Sequence, residues 1–509
     1  MSEKLDLLLV NAPSRVGVYG KLSEFAAVEP PVWAGLIARY CMARNFTVQI
    51  LDAEAEELGV KETALLIIKA APRLAAFCIY GHQPSASTQC MPGASAIAGW
   101  DMNRIGAAGI RTIALGTHPS ALPERTLREE PFDYVCQGEG PIQIAELLKR
   151  YRTLDEEGAA SFGGIGLGGL WSRGSSAPRL QEKNIFNLDA ELPSQAWKLL
   201  DMKRYRAHNW HLWSGDPKGG YASVQTSLGC SFSCAFCCIQ APFGDASPRM
   251  RFWSPQNVVD QILILVRDHN ISNIKIPDEM FCLNKQHVRS ICLELIDHGL
   301  GDRLNMWAYA RVDTVKDQEM LNLMRRAGFK WLGIGVESAS KHVRDGMEKG
   351  RFGNEDIAAA IGRVRNAGIH VGANYIFGLP DDTRESCRAT LDLACELNTE
   401  WANFYCAMAY PGSALHRIAR EKGWRLPEDP RGPGWIGYSQ HAYESLPLPT
   451  ETLTAEEVID IRDDAFLTYF SRPEYQDMMH RTFGDRAIEE VERMVARGRP
   501  RRKHREETS

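Results

Sequence analysis

The chain has 509 residues, too many for one ordinary core, so two or three domains are expected. Hydrophobic residues make up 44% and charged residues 24%, as in soluble globular proteins, and a net charge of −5 gives no electrostatic reason for a nucleic-acid partner. No apolar run approaches the roughly 18 residues that cross a bilayer, so no membrane insertion is expected. The apolar run at residues 7–10 is too short for a secretory signal, and thirteen irregularly spaced cysteines suggest free thiols in a reducing compartment, by default the cytoplasm.

From the N-terminus, strands are predicted at residues 5–10, 46–51, 75–80, 112–115 and 132–135, with helices between them, for example at 32–43 and 62–70. Buried β-rich runs separated by helices predict an α/β fold, with a doubly wound parallel, Rossmann-like sheet over residues 1–150. Such sheets bind ligands beyond the carboxyl ends of their strands. Polar and Gly-rich punctuation falls there: Asn11-Ala12-Pro13, Gly81-His82-Gln83, Gly116-Thr117-His118-Pro119-Ser120 and Gly138-Glu139-Gly140. Residues 151–215 carry no sustained period and read as a linker, Gly-rich at 163–169 and polar at 172–178.

The βα rhythm resumes with strands predicted at 221–226, 273–276, 305–309, 331–336, 370–376 and 402–408, and helices at 255–268, 286–297, 317–326, 354–367 and 384–397. Six such units predict a partial (β/α)6 barrel over residues 216–415, with function at the carboxyl ends of its strands. Residues 416–492 are aromatic-rich and mostly helical, a candidate substrate cover. They include an amphipathic helix at 454–470 whose Thr454 and Glu457 form a capping box. Residues 493–509 form a basic tail, expected to be solvated and disordered.

One spacing points to chemistry. Cys230, Cys234 and Cys237 follow the first barrel strand as Cys-x3-Cys-x2-Cys. Thiolates are soft ligands for iron–sulfur clusters or zinc. Three on one short loop leave the fourth iron of a [4Fe–4S] cluster open to a small molecule. Zinc would want a fourth ligand, and Cys238 adjoins Cys237, where two residues rarely chelate one tetrahedral ion together.

The segment from Gly229 to Cys237 resembles the cluster loop of the radical S-adenosylmethionine (SAM) enzymes, which also place an aromatic residue before the third cysteine, as Phe236 does here. That resemblance implies a SAM cage at successive strand ends. Asp278 or Glu279 would contact the methionyl amino group, Arg311 the carboxylate, and Glu337 or Ser338 the ribose or carboxylate, while the Gly378 turn would support the adenine. Asp278-Glu279 stands where many members carry a Gly-Gly-Glu-type motif, which leaves open which acid serves.

Residues 5–148 resemble the cobalamin-binding domain that precedes the barrel in one radical SAM subgroup. The resemblance rests on Asn11-Ala12-Pro13, on Pro30-Pro31 leading into a helix, and on the Gly116–Ser120 and Gly138–Gly140 strings. It implies corrin neighbours at Asn11, Pro13, His82, Gly116, Thr117, His118, Ser120, Gly138, Glu139 and Gly140. Thr117 departs from the second glycine often found there. The string Asp-x-His-x-x-Gly, which brings a histidine to cobalt in other cobalamin proteins, does not occur. A second resemblance, to methylthiotransferases with an extra cluster, would draw on Cys41, Cys78, Cys90 and Cys136, but Asn11 stands where the first such cysteine belongs.

Together the resemblances imply a cobalamin-dependent radical SAM methyltransferase acting on an unactivated carbon of a metabolite or biosynthetic intermediate. A 5′-deoxyadenosyl radical would remove hydrogen and methylcobalamin would deliver the methyl group, with electrons from an external flavodoxin- or ferredoxin-like donor. One rival is an enzyme with the same cofactors that forms or contracts a ring, or hydrates, without methyl transfer. Another is a non-catalytic cluster- or cobalamin-binding regulator, which would not need polar residues at successive strand ends.

Overall fold

A computed structural model of the chain describes residues 4–81, 83–100, 105–106, 108–157, 167–173, 185–243, 250–349 and 352–498. The front sheet has six strands: β1 (Leu7–Asn11), β2 (Val48–Asp52), β3 (Leu74–Cys78), β4 (Arg111–Leu115), β5 (Tyr134–Cys136) and β6 (Leu170–Ser172). Their order is β2-β1-β3-β4-β5-β6. The first five are parallel. β1 and β3 are apolar along almost their whole length because helices cover both faces. Leu7, Leu9 and Ala76 enter one core, and Leu8, Val10, Ala75 and Phe77 enter the other. The chain winds away from β1 in both directions, so a crevice opens beyond the carboxyl ends of β1 and β3, where such sheets bind ligands.

The sixth strand departs from the expected all-parallel sheet. β6 pairs antiparallel with β5 and comes from the stretch read as a linker. Three residues, Leu-Trp-Ser, carry no readable period. Helix Pro141–Glu157 also runs through the expected boundary at residue 150. Most of the Gly-rich and polar linker segments, and the tail from residue 499, lie outside the described residues.

The second sheet follows from β7 (Gly220–Ser223). A short antiparallel pair, β8 (Ser227–Gly229) and β9 (Met250–Phe252), comes next. Then come β10 (Ile271–Ile276), β11 (Asn305–Arg311), β12 (Phe329–Glu337), β13 (His370–Phe377) and β14 (Trp401–Cys406). The order β14-β13-β12-β11-β10-β7 is parallel throughout, each βα unit laying its strand beside the last. On β12, Leu332, Ile334 and Val336 join the core under the helices, while Gly333, Gly335 and Glu337 face cavities on the other side of the sheet. Side-chain caps at Ser254, Asn284, Asp317, Thr383 and Ser413 start five of the covering helices.

Three C-terminal helices, Ala455–Ser471, Pro473–Phe483 and Asp485–Arg497, pack beside β14. The capping box at Thr454 and Glu457 begins the first of them. Arg462 Nε donates to Phe404 O at 2.8 Å and Tyr475 OH to Glu400 O at 3.0 Å, tying this cover to the sheet. No helix among the described residues is long and apolar enough to cross a membrane.

The segment between sheet and cover is held by one carboxylate. Glu428, its side chain 1% exposed, accepts from Tyr438 OH at 2.6 Å, from Arg420 at 2.8 Å, and lies 3.0 Å from His416 Nε2. Burial pushes its carboxyl up, but the hydrogen bonds from His416 and Tyr438 outweigh burial and bring it to about 2. A depressed folded pKa contributes stability that is complete above the unfolded value and is lost as pH falls through the folded one. Glu428→Gln should therefore cost about 2–3 kcal/mol at pH 7, with the gap from wild type narrowing as pH falls from 5 toward 3. Denaturant unfolding across that range measures it, and a gap that stays constant would show that the charge is not what matters.

Candidate active site

The cysteine loop is stitched to the half-barrel at several points. β8 ends one residue before Cys230, and β9 takes up the chain again at Met250; residues 244–249 lie outside the described residues. Gln240 Nε2 donates to Cys230 O at 2.6 Å, Ala235 N to Met347 O at 3.1 Å, and Leu415 N to Ala235 O at 2.7 Å. Cys230, Cys234 and Cys237 line a cavity over the carboxyl ends of the strands, with Phe232 and Phe236 among its other walls. The cavity encloses about 1370 Å³ free of protein atoms, counting its mouth. Cys238 is 3% exposed and belongs to the main core, where burial pushes its thiol up to about 12.

The donor set suits a cluster. All thirteen cysteines are free. Among the described residues, no three His, Cys, Asp or Glu side chains converge on a single ion. A [4Fe–4S] cube places each thiolate on its own iron, so thiols spread around a loop match it, whereas one tetrahedral ion requires convergence.

Four acidic or basic side chains line the same cavity: Glu279, Arg311, Glu337 and Lys349. Glu279 follows β10 and has no hydrogen-bond partner among the described residues. Burial raises its carboxyl to about 7, against the pull of Lys275. Arg311, 4% exposed, lies 4.0 Å above the Phe232 ring, donates toward Cys234 Sγ at 3.7 Å, and is held by Asp313 and the Lys349 carbonyl. Glu337 ends β12 at φ 66 and pairs with Lys349 at 2.6 Å. Burial disfavours the Lys349 ammonium, but Glu337 more than offsets this and holds its pKa above that of an ordinary lysine. Sequence reasoning missed Lys349, because a lysine in a loop after a short helix reads as solvated.

Three expected cage residues face elsewhere. Asp278 is committed to Thr226 N at 2.8 Å, Thr226 Oγ1 at 2.6 Å and Ser227 Oγ at 2.5 Å, so it fixes the chain between β7 and β8. Ser338 is fully buried, 3.2 Å from Thr390 Oγ1, and accepts from Ser340 N, which places it at a helix start. Gly378, at φ 78, donates its N–H to Asp382, and any side chain there would strike Val458, so it serves packing against the C-terminal cover.

A second cleft, enclosing about 1290 Å³, lies between the carboxyl ends of the front strands and the cysteine loop. Of the expected corrin neighbours, Asn11 and Thr117 line it. Asn11 Nδ2 is held by Asp52 at 2.8 Å, and Asp52 in turn by Tyr205 OH at 2.8 Å. Trp33 and Tyr80, stacked with centroids 4.6 Å apart, supply a flat wall that the sequence did not signal. His82 lies outside the described residues.

The other front-loop residues do not line the cleft. His118 is 1% exposed, 3.1 Å from Thr88 Oγ1 and edge-on to Trp435 at 4.4 Å; burial pushes its pKa down to about 3. Pro13 packs its carbonyl against Gly93 of the neighbouring helix, and Gly116 (φ 146) sits against the Ile79 carbonyl, where a side chain would clash. Ser120 Oγ accepts from Gly138 N at 3.1 Å and so ties the two loops together. Gly138 and Gly140 take positive φ, and Gly140 abuts Leu115. Of the four cysteines considered for a second cluster, Cys78 and Cys90 border the cleft, and Cys41 and Cys136 belong to the core.

Glu139 turns away from the cleft altogether. It meets Arg251 of β9, with one contact at 3.1 Å, and the two side chains are 3% and 4% exposed. This buried ion pair clamps the last front-sheet loop to the hairpin that carries the cysteines. The cleft and the cysteine cavity share Gln83, Pro84, Ile239, Pro277 and Glu279, so they open onto one another. Removing one partner of a buried pair typically costs about 3–5 kcal/mol, while replacing both with apolar residues is often neutral. Glu139→Leu should therefore destabilise strongly, and adding Arg251→Met should restore most of the loss in denaturant unfolding. A double variant no better than the single would deny the coupling.

The sequence profile of the Radical SAM superfamily matches residues 224–394, and that of the B12 binding domain matches residues 22–148. An uncharacterized methyltransferase of Pyrococcus horikoshii is 27% identical over 445 residues, which is 87% of this chain and 88% of that protein. The anaerobic magnesium-protoporphyrin IX monomethyl ester cyclase of Cereibacter sphaeroides is 25% identical over 357 residues, 68% of this chain and 52% of that protein. The fold is shared with the radical SAM methyltransferase TsrM of Kitasatospora setae, solved with cobalamin and a [4Fe–4S] cluster, at a TM-score of 0.63 and 18% identity, covering 91% of each chain. The chain thus carries a B12 binding domain ahead of a radical SAM domain, with the two sites facing one another, and these domains call for cobalamin, SAM and a [4Fe–4S] cluster.

Proposed function

We propose that this chain transfers a methyl group to an unactivated carbon of a small molecule. One observation carries the reading: the front cleft and the cysteine cavity open onto each other through Glu279, Pro277 and Ile239, so a substrate can be reached from both. When bound, the cluster with SAM supplies a carbon-centred radical, and cobalamin supplies a methyl carrier.

The chain's own residues bind and orient. Cys230, Cys234 and Cys237 hold the cluster. Glu279, without another partner, takes the methionyl amino group, and Arg311 with Lys349 takes the carboxylate. Glu337 neutralises Lys349 when SAM is absent and is placed to accept from a ribose hydroxyl. Phe236 closes the cavity wall against water. Asn11, Thr117 and the Trp33–Tyr80 stack border the corrin. The string Asp-x-His-x-x-Gly is absent from the sequence, so no histidine from that motif is expected on cobalt. Electrons enter singly from an external donor of the flavodoxin or ferredoxin type.

The relatedness to a protein named as a ring-forming cyclase supports a second reading, the same cofactors without methyl transfer. Mass spectrometry separates the two: a product heavier by one methylene supports methylation, and one without added carbon supports the alternative.

Two variant sets test the residue roles. Replacing Cys230, Cys234 or Cys237 by Ala should abolish iron binding and 5′-deoxyadenosine formation, while Cys238→Ala keeps both; an essential Cys238 beside a dispensable Cys237 would overturn the ligand set. Glu279→Gln and Lys349→Met should each weaken SAM binding roughly ten- to a hundredfold, the range of one charge-assisted hydrogen bond, with iron content unchanged. Unchanged SAM affinity in both would remove them from the cage.

A further inference from the structure

Inside the half-barrel lies a chamber that the assignments above leave empty of purpose. Trp307, Tyr309, Trp401 and Tyr405 wall it from the strands, and Trp210 and Phe25 from the side. It is continuous with the cysteine cavity, sharing Gln83, Tyr309, Gly333, Asn374, Tyr405 and Gln440. The space exists because β12 and β13 present glycines to it, Gly333 and Gly372. A Cβ on Gly372 would meet only Trp401, at 3.7 and 3.8 Å.

One of the chamber's polar groups is a donor awaiting an acceptor. Trp401 Nε1 donates to Asn403 Oδ1 at 2.9 Å, and Asn403 Nδ2 donates to Asn374 Oδ1 at 2.8 Å. An indole N–H can only donate, so it fixes both amides, and the relay ends on Asn374 Nδ2, whose hydrogens have no acceptor among the described residues. Trp307 Nε1 also has no acceptor among them, but it is sealed within the wall and does not open to the chamber. The cations at the wall are already matched, Lys275 by Glu29 at 2.8 Å and Arg462 by Asp463 at 2.8 Å. A buried unpaired donor is stabilised by an incoming acceptor, and matched ions leave no demand for a charged ligand.

We infer that this chamber is the substrate site, and that it selects an uncharged, ring-bearing molecule presenting a carbonyl or ether oxygen to Asn374. The inference rests on the functional reading above for the reaction, but not for the binding. Calorimetric titration of the reconstituted holoenzyme with 2-acetylnaphthalene, 2-naphthoate, 2-naphthylmethylammonium and naphthalene tests it. The neutral ketone should bind at least tenfold tighter than either ion. Gly372→Leu, with iron and cobalamin content retained, should cut ketone affinity at least tenfold, and Gly372→Ala should fall between. Asn374→Leu should weaken the ketone several-fold and leave naphthalene unchanged. No binding of the ketone, equal binding of an ion, or indifference to the Gly372 variants would overturn the inference. Absence of 5′-deoxyadenosine from the same holoenzyme would instead strike the functional reading, whatever the titrations show.

Discussion

The centre of this molecule depends on where one hairpin sits. β8 and β9 carry the cysteine loop, and the hairpin is fixed from both sides: Asp278 grips Thr226 and Ser227 at its entry, and Arg251 at its exit is buried against Glu139 of the front sheet. Burying two charges brings little net stability, since the loss of hydration offsets most of the attraction. Its effect here is positional. The loop is neither a free strap over the barrel nor part of the front sheet; it is the shared wall of the two cavities. Without that wall the front cleft would face solvent, and the strand-end residues would surround an open bowl.

A second constraint is the emptiness of the barrel. Half-barrels of six strands fill readily with branched side chains, as full barrels do. Here the cavity faces of β12 and β13 run from glycine to a polar residue, Gly333 and Gly335 before Glu337 and Gly372 before Asn374, with Ile376 the branched exception. The stability forgone inside is recovered at the periphery, in the helix-side core of Leu332, Ile334 and Val336 and in the aromatic packing of Trp331 on Phe483 and Tyr469 on Phe404. The C-terminal helices therefore belong to the barrel's own packing, and their aromatics are mostly core.

Periodicity and the cysteine spacing made much of this legible in the sequence. Both parallel sheets, the order of the βα units and the Thr454 cap follow from runs long enough to show a period, and the strand-end positions of Glu279, Arg311 and Glu337 follow from those strands. What stayed hidden was tertiary. Nothing local says that Asp278 rather than Glu279 is consumed by Thr226, that Lys349 folds back onto Glu337, or that His118 turns into the core against Trp435. Glu139 sits in a Gly-x-Gly turn that reads as a ligand loop, yet its partner is 112 residues away. β6 was missed because three residues give no pattern, and because an antiparallel edge breaks the rhythm of the strands before it.

The central claim is that one continuous space joins the cluster and the corrin. Electron paramagnetic resonance of the reconstituted protein, with the cluster reduced and cobalamin in its cob(II) form, addresses this most directly and needs no substrate. If the cleft and the cysteine cavity open onto each other as described, the two paramagnets lie close enough to couple, and the spectrum will show broadened or split lines that neither centre gives alone. The Cys230→Ala protein, lacking the cluster, should return the unperturbed cob(II)alamin signal. A spectrum that is the plain sum of two independent centres would contradict the account.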